Sequence, residues 1–329
     1  DTQNIQLVIS LVLLGQGCGQ LIFGPLSDTF GRKPLIYAGY SIFIVATIVC
    51  MYTTTFDELL IARFMQGFGV AAPRVLTMVM IRDKYSGKRM AQVMSFIMVF
   101  FILVPMIAPL LGQGILLFAP WRAIFAAILI FGLISLIWFG FRQPETLDEK
   151  HRKELKFSVL WNTLKEVVTT PVSMCYTLAA GILSGSFISY LASAQQLFGQ
   201  EYNLTDSFAI YFSFMALVFG LASFFNGKVV VKKGMQYLVY RAFSLLALSS
   251  ITFLLIVLND NYLPPLSWTT GYFVIVFACV GVLFGNLNAL AMEPLGHLAG
   301  FGAAVVGACS TLIAVSIAMF IGEMYDGSV

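Results

Sequence analysis

The sequence predicts an all-α protein that crosses a membrane many times. Three observations lead there. Of its 329 residues, 59% are apolar and only 11% charged, less than half the charged share of about 25% in a soluble domain. The apolar residues gather into ten runs, near 5–24, 35–52, 59–81, 91–112, 121–141, 172–197, 207–226, 236–258, 268–291 and 300–321, each close to the roughly 20 residues that a bilayer requires. Lysine and arginine crowd into alternate loops between those runs.

That alternation sets the expected orientation. One set of loops holds Arg32 and Lys33, then Arg82, Lys84, Lys88 and Arg89, then the charged segment 142–170, then Lys228, Lys232, Lys233 and Arg241. The other set holds Asp57, Glu58, Arg122, Glu201, Asp206 and Asp260. Basic loops stay in the cytoplasm, so the first set is expected inside. The net charge of +3 is small; its distribution carries the information. Five cysteines stand singly, and His151 and His297 have no second ligand near them in sequence. Neither a disulfide framework nor a zinc site is indicated.

Between the first two runs lies Gly24-Pro-Leu-Ser-Asp28-Thr-Phe-Gly31-Arg32-Lys33-Pro34, read as an eleven-residue polar turn. Asp28 and Arg32, four apart, are placed to pair if this stretch is helical. Gly24, Leu26, Asp28, Gly31, Arg32, Lys33 and Pro34 resemble the loop that joins helices two and three of major facilitator superfamily transporters. The resemblance implies an all-α polytopic membrane protein of the major facilitator fold. Two helical bundles are expected, with about ten of twelve transmembrane helices present. Residues 1–141 would form the N-terminal bundle (helices 2–6 of the family), 142–170 a cytoplasmic linker, and 171–329 the C-terminal bundle (helices 7–11). Both ends of the chain fall outside, so the first and last helices of the family are expected to be absent. Asn226 to Gly234 repeats the first loop's glycines and basic residues in the second half without its acid.

The first run carries Gly15, Gly17, Gly19 and Gly24, and the tenth Ala303 and Gly307, small residues that let helices approach closely in lipid. Gln16 and Gln20 either pack there or face an aqueous path. In the third run, Leu60-x-x-Arg63-x-x-Gln66-Gly67-x-Gly69 resembles the family's fourth-helix motif, which implies that Arg63 and Gln66 face a central substrate cavity. Arg63 and Arg74, eleven residues apart, lie on nearly one helix face. The alternative is that Arg63 reaches toward Asp57 and Arg74 toward Asp83. Gly67-Phe-Gly69-Val-Ala-Ala72 also matches a nucleotide fingerprint, but no strand precedes it. By the same resemblance Asp83 joins Asp28 and Arg32 in a conformational latch with Gly24, Gly31 and Lys33.

The fourth run holds Pro105 and Pro109, four apart, which remove two backbone donors from one face and bend a helix, followed by Gly112. Ala108-Pro109-Leu-Leu-Gly112 resembles the bicyclomycin/chloramphenicol-type branch of the drug–proton antiporters, although only Pro109 and Gly112 match the general antiporter motif outright. In the second half the polar residues are few. Ser184 and Ser186 are expected to bond their own helix. Tyr190, Asn286 and Asn288 are candidates for the cavity.

No acid lies well inside any run, so no proton carrier is named; the resemblance places it on a helix before Asp1. The expected function is proton-coupled export of small amphipathic drugs or metabolites by alternating access, with the proton as coupling ion and no cofactor or metal. A proton symporter importing a nutrient or siderophore is the alternative. A membrane scaffold or membrane enzyme is a third reading, but no nucleophile triad, metal set or phosphate loop is present to support an enzyme. The expected partners are a small-molecule substrate and the lipid bilayer, with no nucleic acid. A monomer in the bacterial inner membrane is expected.

Overall fold

The computed structural model describes residues 2–85, 110–147, 157–204, 207–259 and 263–324, with 93, 104, 107, 108 and 152. The helices are α1 (Thr2–Phe30), α2 (Arg32–Tyr52), α3 (Phe56–Lys84), α4 (Arg122–Arg142), α5 (Phe157–Thr169), α6 (Pro171–Ala194), α7 (Phe208–Lys233), α8 (Met235–Asn259), α9 (Leu266–Met292) and α10 (Ala299–Glu323). A π-helical turn (Gln195–Glu201) extends α6, and a 3-10 turn (Glu293–Leu298) joins α9 to α10. No strand occurs among the described residues. Nine of the described helices are long and apolar enough to cross a bilayer. The expected fourth run, 91–112, lies largely outside the described residues.

The stretch Gly24–Pro34 is not the eleven-residue turn that its prolines and charges suggest. Helix α1 runs through Pro25 to Phe30, and α2 begins at Arg32, so the only non-helical residue between them is Gly31. Pro25 lacks the N–H that would bond the Leu21 carbonyl, yet the helix continues through it; two residues on, the Ser27 hydroxyl donates to the Gly24 carbonyl at 2.7 Å. Gly31 has φ 101° and ψ 158°, a region that only glycine occupies without strain. Gly234 makes the same junction between α7 and α8 with φ 82° and ψ 156°, so the internal repeat seen in sequence is also a repeat of backbone geometry. Within 142–170 the chain folds a short helix, α5, too short to span a bilayer.

Helix α3 packs on α1 and α2 through backbone contact, and α4 lies on α2, where Gly132 meets the Phe43 ring and Gly140 the Tyr37 hydroxyl. A Cβ placed on Gly67 of α3 would lie 1.8 Å from the Val12 carbonyl oxygen of α1, and one on Gly15 of α1 would lie 2.0 Å from the Phe64 carbonyl oxygen. Gly39 of α2 meets Ala72 and the Gly69 carbonyl of α3 in the same way. Helices α6 to α10 form the second group. Gly181 and Gly185 of α6 receive Ile313 and Ile317 of α10, and Gly281 of α9 rests on the Phe219 carbonyl of α7. Lipid offers no hydrophobic force to press helices together, so close van der Waals approach at small residues does it.

The two groups meet where α1 crosses α10. Gly17 faces Thr311, Gln20 lies over Gly307, and Gly24 faces Ala304. Nearer the lysine- and arginine-rich end, the fully buried Val167 of α5 packs with Ala291, Leu295, Val305 and Val306, and Leu21 of α1 joins that cluster. That end of the molecule, called the basic end below, is therefore closed by apolar contact between the groups.

Candidate functional site

At the basic end one arginine gathers three elements. Arg32, the first residue of α2, is only 5% exposed. Its Nη1 donates to Asp28 Oδ1 at 2.5 Å and to Ser27 Oγ at 2.6 Å on α1. Its Nε donates to Asp83 Oδ2 at 3.1 Å near the end of α3. A guanidinium removed from water needs such partners, and its planar fork of donors suits several acceptors at once. Asp28 and Arg32 meet because α1 stays helical up to Gly31, which places positions four apart on one face.

A fourth member comes from the far end of the first group. Glu145, just past α4, accepts the backbone N–H of Arg32 at 3.1 Å on one oxygen and that of Lys33 at 2.9 Å on the other. Gly31 has no side chain to cap α2, so Glu145 supplies the anion to that helix N-terminus. The Lys33 Nζ donates to the Gly140 carbonyl at 3.1 Å, and the Thr146 hydroxyl donates to Asp83 Oδ2 at 3.3 Å. Burial is the largest single influence on the Glu145 carboxyl and acts to raise its pKa. Backbone N–H bonds from Leu147, Lys33, Arg32 and Thr146 together outweigh it and hold the pKa below its ordinary value.

Arg63 does not reach toward Asp57. Its Nη1 donates to Gln66 Oε1 at 2.9 Å, and its guanidinium lies 4.8 Å from the centre of the Phe125 ring on α4. Gln66, 3% exposed, donates in turn to Thr47 Oγ1 of α2 at 2.8 Å, and Thr47 donates to the Phe43 carbonyl at 2.7 Å. A polar relay thus runs from α3 into α2 inside the first group. Arg63 Nε is buried without a hydrogen-bond partner among the described residues. Arg74 does not reach Asp83, whose carboxylate is held by Arg32.

In the second group Tyr190 stands in an aromatic cluster, its ring centre 4.9 Å from Phe273 and 5.1 Å from Phe277. Its hydroxyl is buried and has no partner among the described residues. Asn286, 4% exposed, donates to Asn226 Oδ1 on α7 at 2.9 Å and to the Val282 carbonyl at 2.9 Å, which ties α9 to α7. Asn288 donates to the Phe284 carbonyl of its own helix at 2.8 Å. Ser184 and Ser186 bond Ala180 and Ile182 carbonyls one turn back, as their position in an apolar helix predicts. Pro105 and Pro109 lie outside the described residues; Gly112 is helical and has open space where a Cβ would stand. No group of three or more potential metal ligands occurs among the described residues.

Sequence reasoning missed four members of these networks. Glu145 carries no local signal beyond an acid after a proline. Thr47 and Phe125 are one threonine and one phenylalanine among many, and only packing singles them out; Asn226 opens the second-half repeat in the sequence, but its pairing with Asn286 is visible only in the structure.

Nine membrane-length helices among the described residues, in two packed groups that each contain a glycine junction of the same geometry and that meet through α1 and α10, define a polytopic membrane protein of two-bundle architecture. The chain belongs to the Major Facilitator Superfamily, whose sequence profile matches residues 1–319. It is 27% identical over 323 residues to a bicyclomycin resistance protein homolog of Haemophilus influenzae, covering 98% of this chain and 80% of the relative. It is 30% identical over 309 residues to a chloramphenicol resistance protein of Pseudomonas aeruginosa, covering 91% and 68%. In fold it is similar to the human organic anion transporter MFSD10 (TETRAN), with a TM-score of 0.73 at 18% identity over 98% of this chain and 78% of that one.

Proposed function

We propose that this chain is a proton-coupled exporter of small amphipathic drugs or metabolites that works by alternating access in a bacterial plasma membrane, with its basic end in the cytoplasm. The observation that carries the reading is the closure of that end by contact between α1 and α10, beside a charge network that braces the end of α1 within the first group. Gly24 and Gln20 of α1 seat against Ala304 and Gly307 of α10, and beside that seam the network of Arg32, Asp28, Asp83 and Glu145 fixes the end of α1 to α2, α3 and the segment after α4. A charge network at this place stabilises the state in which the basic end is shut, and its opening is the step that alternating access requires. The names of the two resistance-protein relatives support a drug-like substrate.

Within this reading, residues 1–141 and 171–329 act as the two bundles, joined by 142–170. Arg63 and Tyr190 are the first candidates for substrate contact, because each keeps a buried polar atom with no partner among the described residues, and such atoms demand a water or a ligand. Gln66 positions Arg63. Asn286 has its amide donors taken up within its bundle and acts as a strut, while the half-buried Asn288 remains a wall residue.

The test is accumulation of a fluorescent cationic drug in cells that express the protein, with and without a protonophore. Export predicts lowered accumulation that the protonophore restores. Accumulation equal to that of control cells under both conditions counts against the proposal.

A further inference from the structure

The sixteen described residues from Val70 to Tyr85 hold one membrane-depth cation that the latch does not use. Arg74 lies ten residues before the last residue of α3, Lys84, or about 15 Å of helix rise. In a hydrocarbon core about 30 Å thick, that is close to the midplane. A charged side chain there is costly unless it is paired or faces water, and it marks a pathway for ions or substrate. Arg74 is exposed, and among the described residues no carboxylate or hydrogen-bond acceptor meets it. Asp83 is nine residues on, about 13.5 Å along the helix, and is engaged by Arg32.

The direction of Arg74 follows from the contacts of its helix. Residues 64, 67, 68 and 71 of α3 face α1, whereas 69 and 72 face α2. Arg74 is seven residues after Gly67 and eleven after Arg63, which puts it on the stripe between the α1 contact and the Arg63–Phe125 contact. The glycine contacts also give its level. Gly19 abuts Phe68 and Ala71, and α1 and α3 run parallel, so Arg74 lies level with Gln20 to Phe23, where α1 crosses α10. The guanidinium therefore looks off α3 at the depth at which the two bundles close.

We infer that Arg74 is an anion-recognition residue for the transported molecule, and that this transporter accepts substrates bearing a carboxylate or a similar planar oxyanion. The inference rests on the transport reading above and narrows its substrate class. A guanidinium presents paired N–H donors that match a carboxylate in a bidentate manner. Arg63 has already committed a donor to Gln66 and a face to Phe125; among the described residues Arg74 has committed neither. A lipid phosphate offers the same chemistry, and the experiment separates the two sources.

The experiment uses the purified full chain in nanodiscs and two soluble probes with one ring system, the anion fluorescein and the cation rhodamine 123. Binding is read by fluorescence anisotropy against empty discs. The parent is expected to bind fluorescein. Arg74→Gln should weaken that binding about tenfold or more, as loss of a charge-assisted contact does, while rhodamine 123 stays within about twofold. Arg74→Lys, which keeps the charge but not the paired donors and guards against a folding defect in the glutamine variant, should bind fluorescein less tightly than the parent but more tightly than Arg74→Gln. Binding of rhodamine 123 but not fluorescein by the parent overturns the inference and leaves the export reading standing. Fluorescein binding unchanged in Arg74→Gln also overturns it and points to lipid phosphate as the partner. Equal loss of both probes in Arg74→Gln and Arg74→Lys overturns it in favour of a structural role. A parent that binds neither probe counts against both readings.

Discussion

Replacing Gly31 by alanine tests how the basic-end network is held. The backbone at Gly31, with φ 101° and ψ 158°, lies in a region nearly closed to residues with a Cβ, and forcing one there costs about 1–3 kcal/mol. The added Cβ would also stand 2.7 Å from Glu145 Oε2, inside van der Waals contact. The glutamate side chain can move aside, but it then releases the N–H groups of Arg32 and Lys33. A carboxylate at an exposed helix N-terminus is worth about 0.3–1 kcal/mol. The expected loss for Gly31→Ala is therefore about 1–4 kcal/mol, with the backbone as the larger part. Glu145→Gln removes only the smaller part. Gly271→Ala serves as the control, because nothing lies within 4 Å of its Cβ position and alanine is the better helix former by about 1 kcal/mol. Thermal unfolding in detergent, followed by tryptophan fluorescence, should rank Gly271→Ala at or above the parent, then Glu145→Gln, then Gly31→Ala. A Gly31→Ala protein that unfolds with the parent, or a Glu145→Gln protein less stable than Gly31→Ala, would refute the reasoning.

Three further outcomes follow from the same geometry. Arg32→Gln leaves Asp28 and Asp83 facing each other without their cation; since both acids are partly hydrated, with side chains 30% and 22% exposed, the loss should fall below the roughly 3–5 kcal/mol of a fully buried pair, and disulfide formation between Gly24→Cys and Ala304→Cys should drop because the basic end opens. Gly67→Ala must push α1 and α3 apart by more than 1 Å, from 1.8 Å at the Val12 oxygen to an ordinary contact, and should cost about 1–3 kcal/mol; size-exclusion stability equal to that of the parent would show that the two helices are not in backbone contact. Glu145 has its pKa held down in the folded protein, so its contribution is full above the ordinary glutamate value near 4.3 and disappears as pH falls through the lower folded value. A pH series of unfolding temperatures should therefore show the gap between parent and Glu145→Gln narrowing below about pH 4, and a gap that widens there would reverse the sign assigned to this group.

The network was legible in the sequence as far as its members are close along the chain. Asp28 and Arg32 are one helical turn apart, and their pairing needs only that α1 stay helical. Asp83 entered by resemblance of motif, not by spacing. Glu145, 113 residues from Arg32, could not be found, because nothing in a single sequence says that the end of α4 returns to the start of α2. The turn at Gly24–Pro34 was misread for a local reason: prolines and charges mark loops in water, whereas Pro25 sits in a continuous helix that ends only at Phe30. Arg63 and Gln66 entered by resemblance of motif, whereas Thr47 and Phe125, which they touch in the structure, carry no local signal.

The sequence by itself determined that this chain is a bundle of membrane-spanning helices, where most of the spans run, and which loops share one side. Those properties follow from apolar length and from the distribution of charge, both of which are sums over neighbouring residues. The tertiary structure alone decided which glycines let backbones touch, that α1 and α10 close the basic end, and that Arg32 finds three partners while Arg74 finds none among the described residues. Those properties depend on which surfaces meet across the fold, and a buried charge acquires its role from partners that the chain brings from far away.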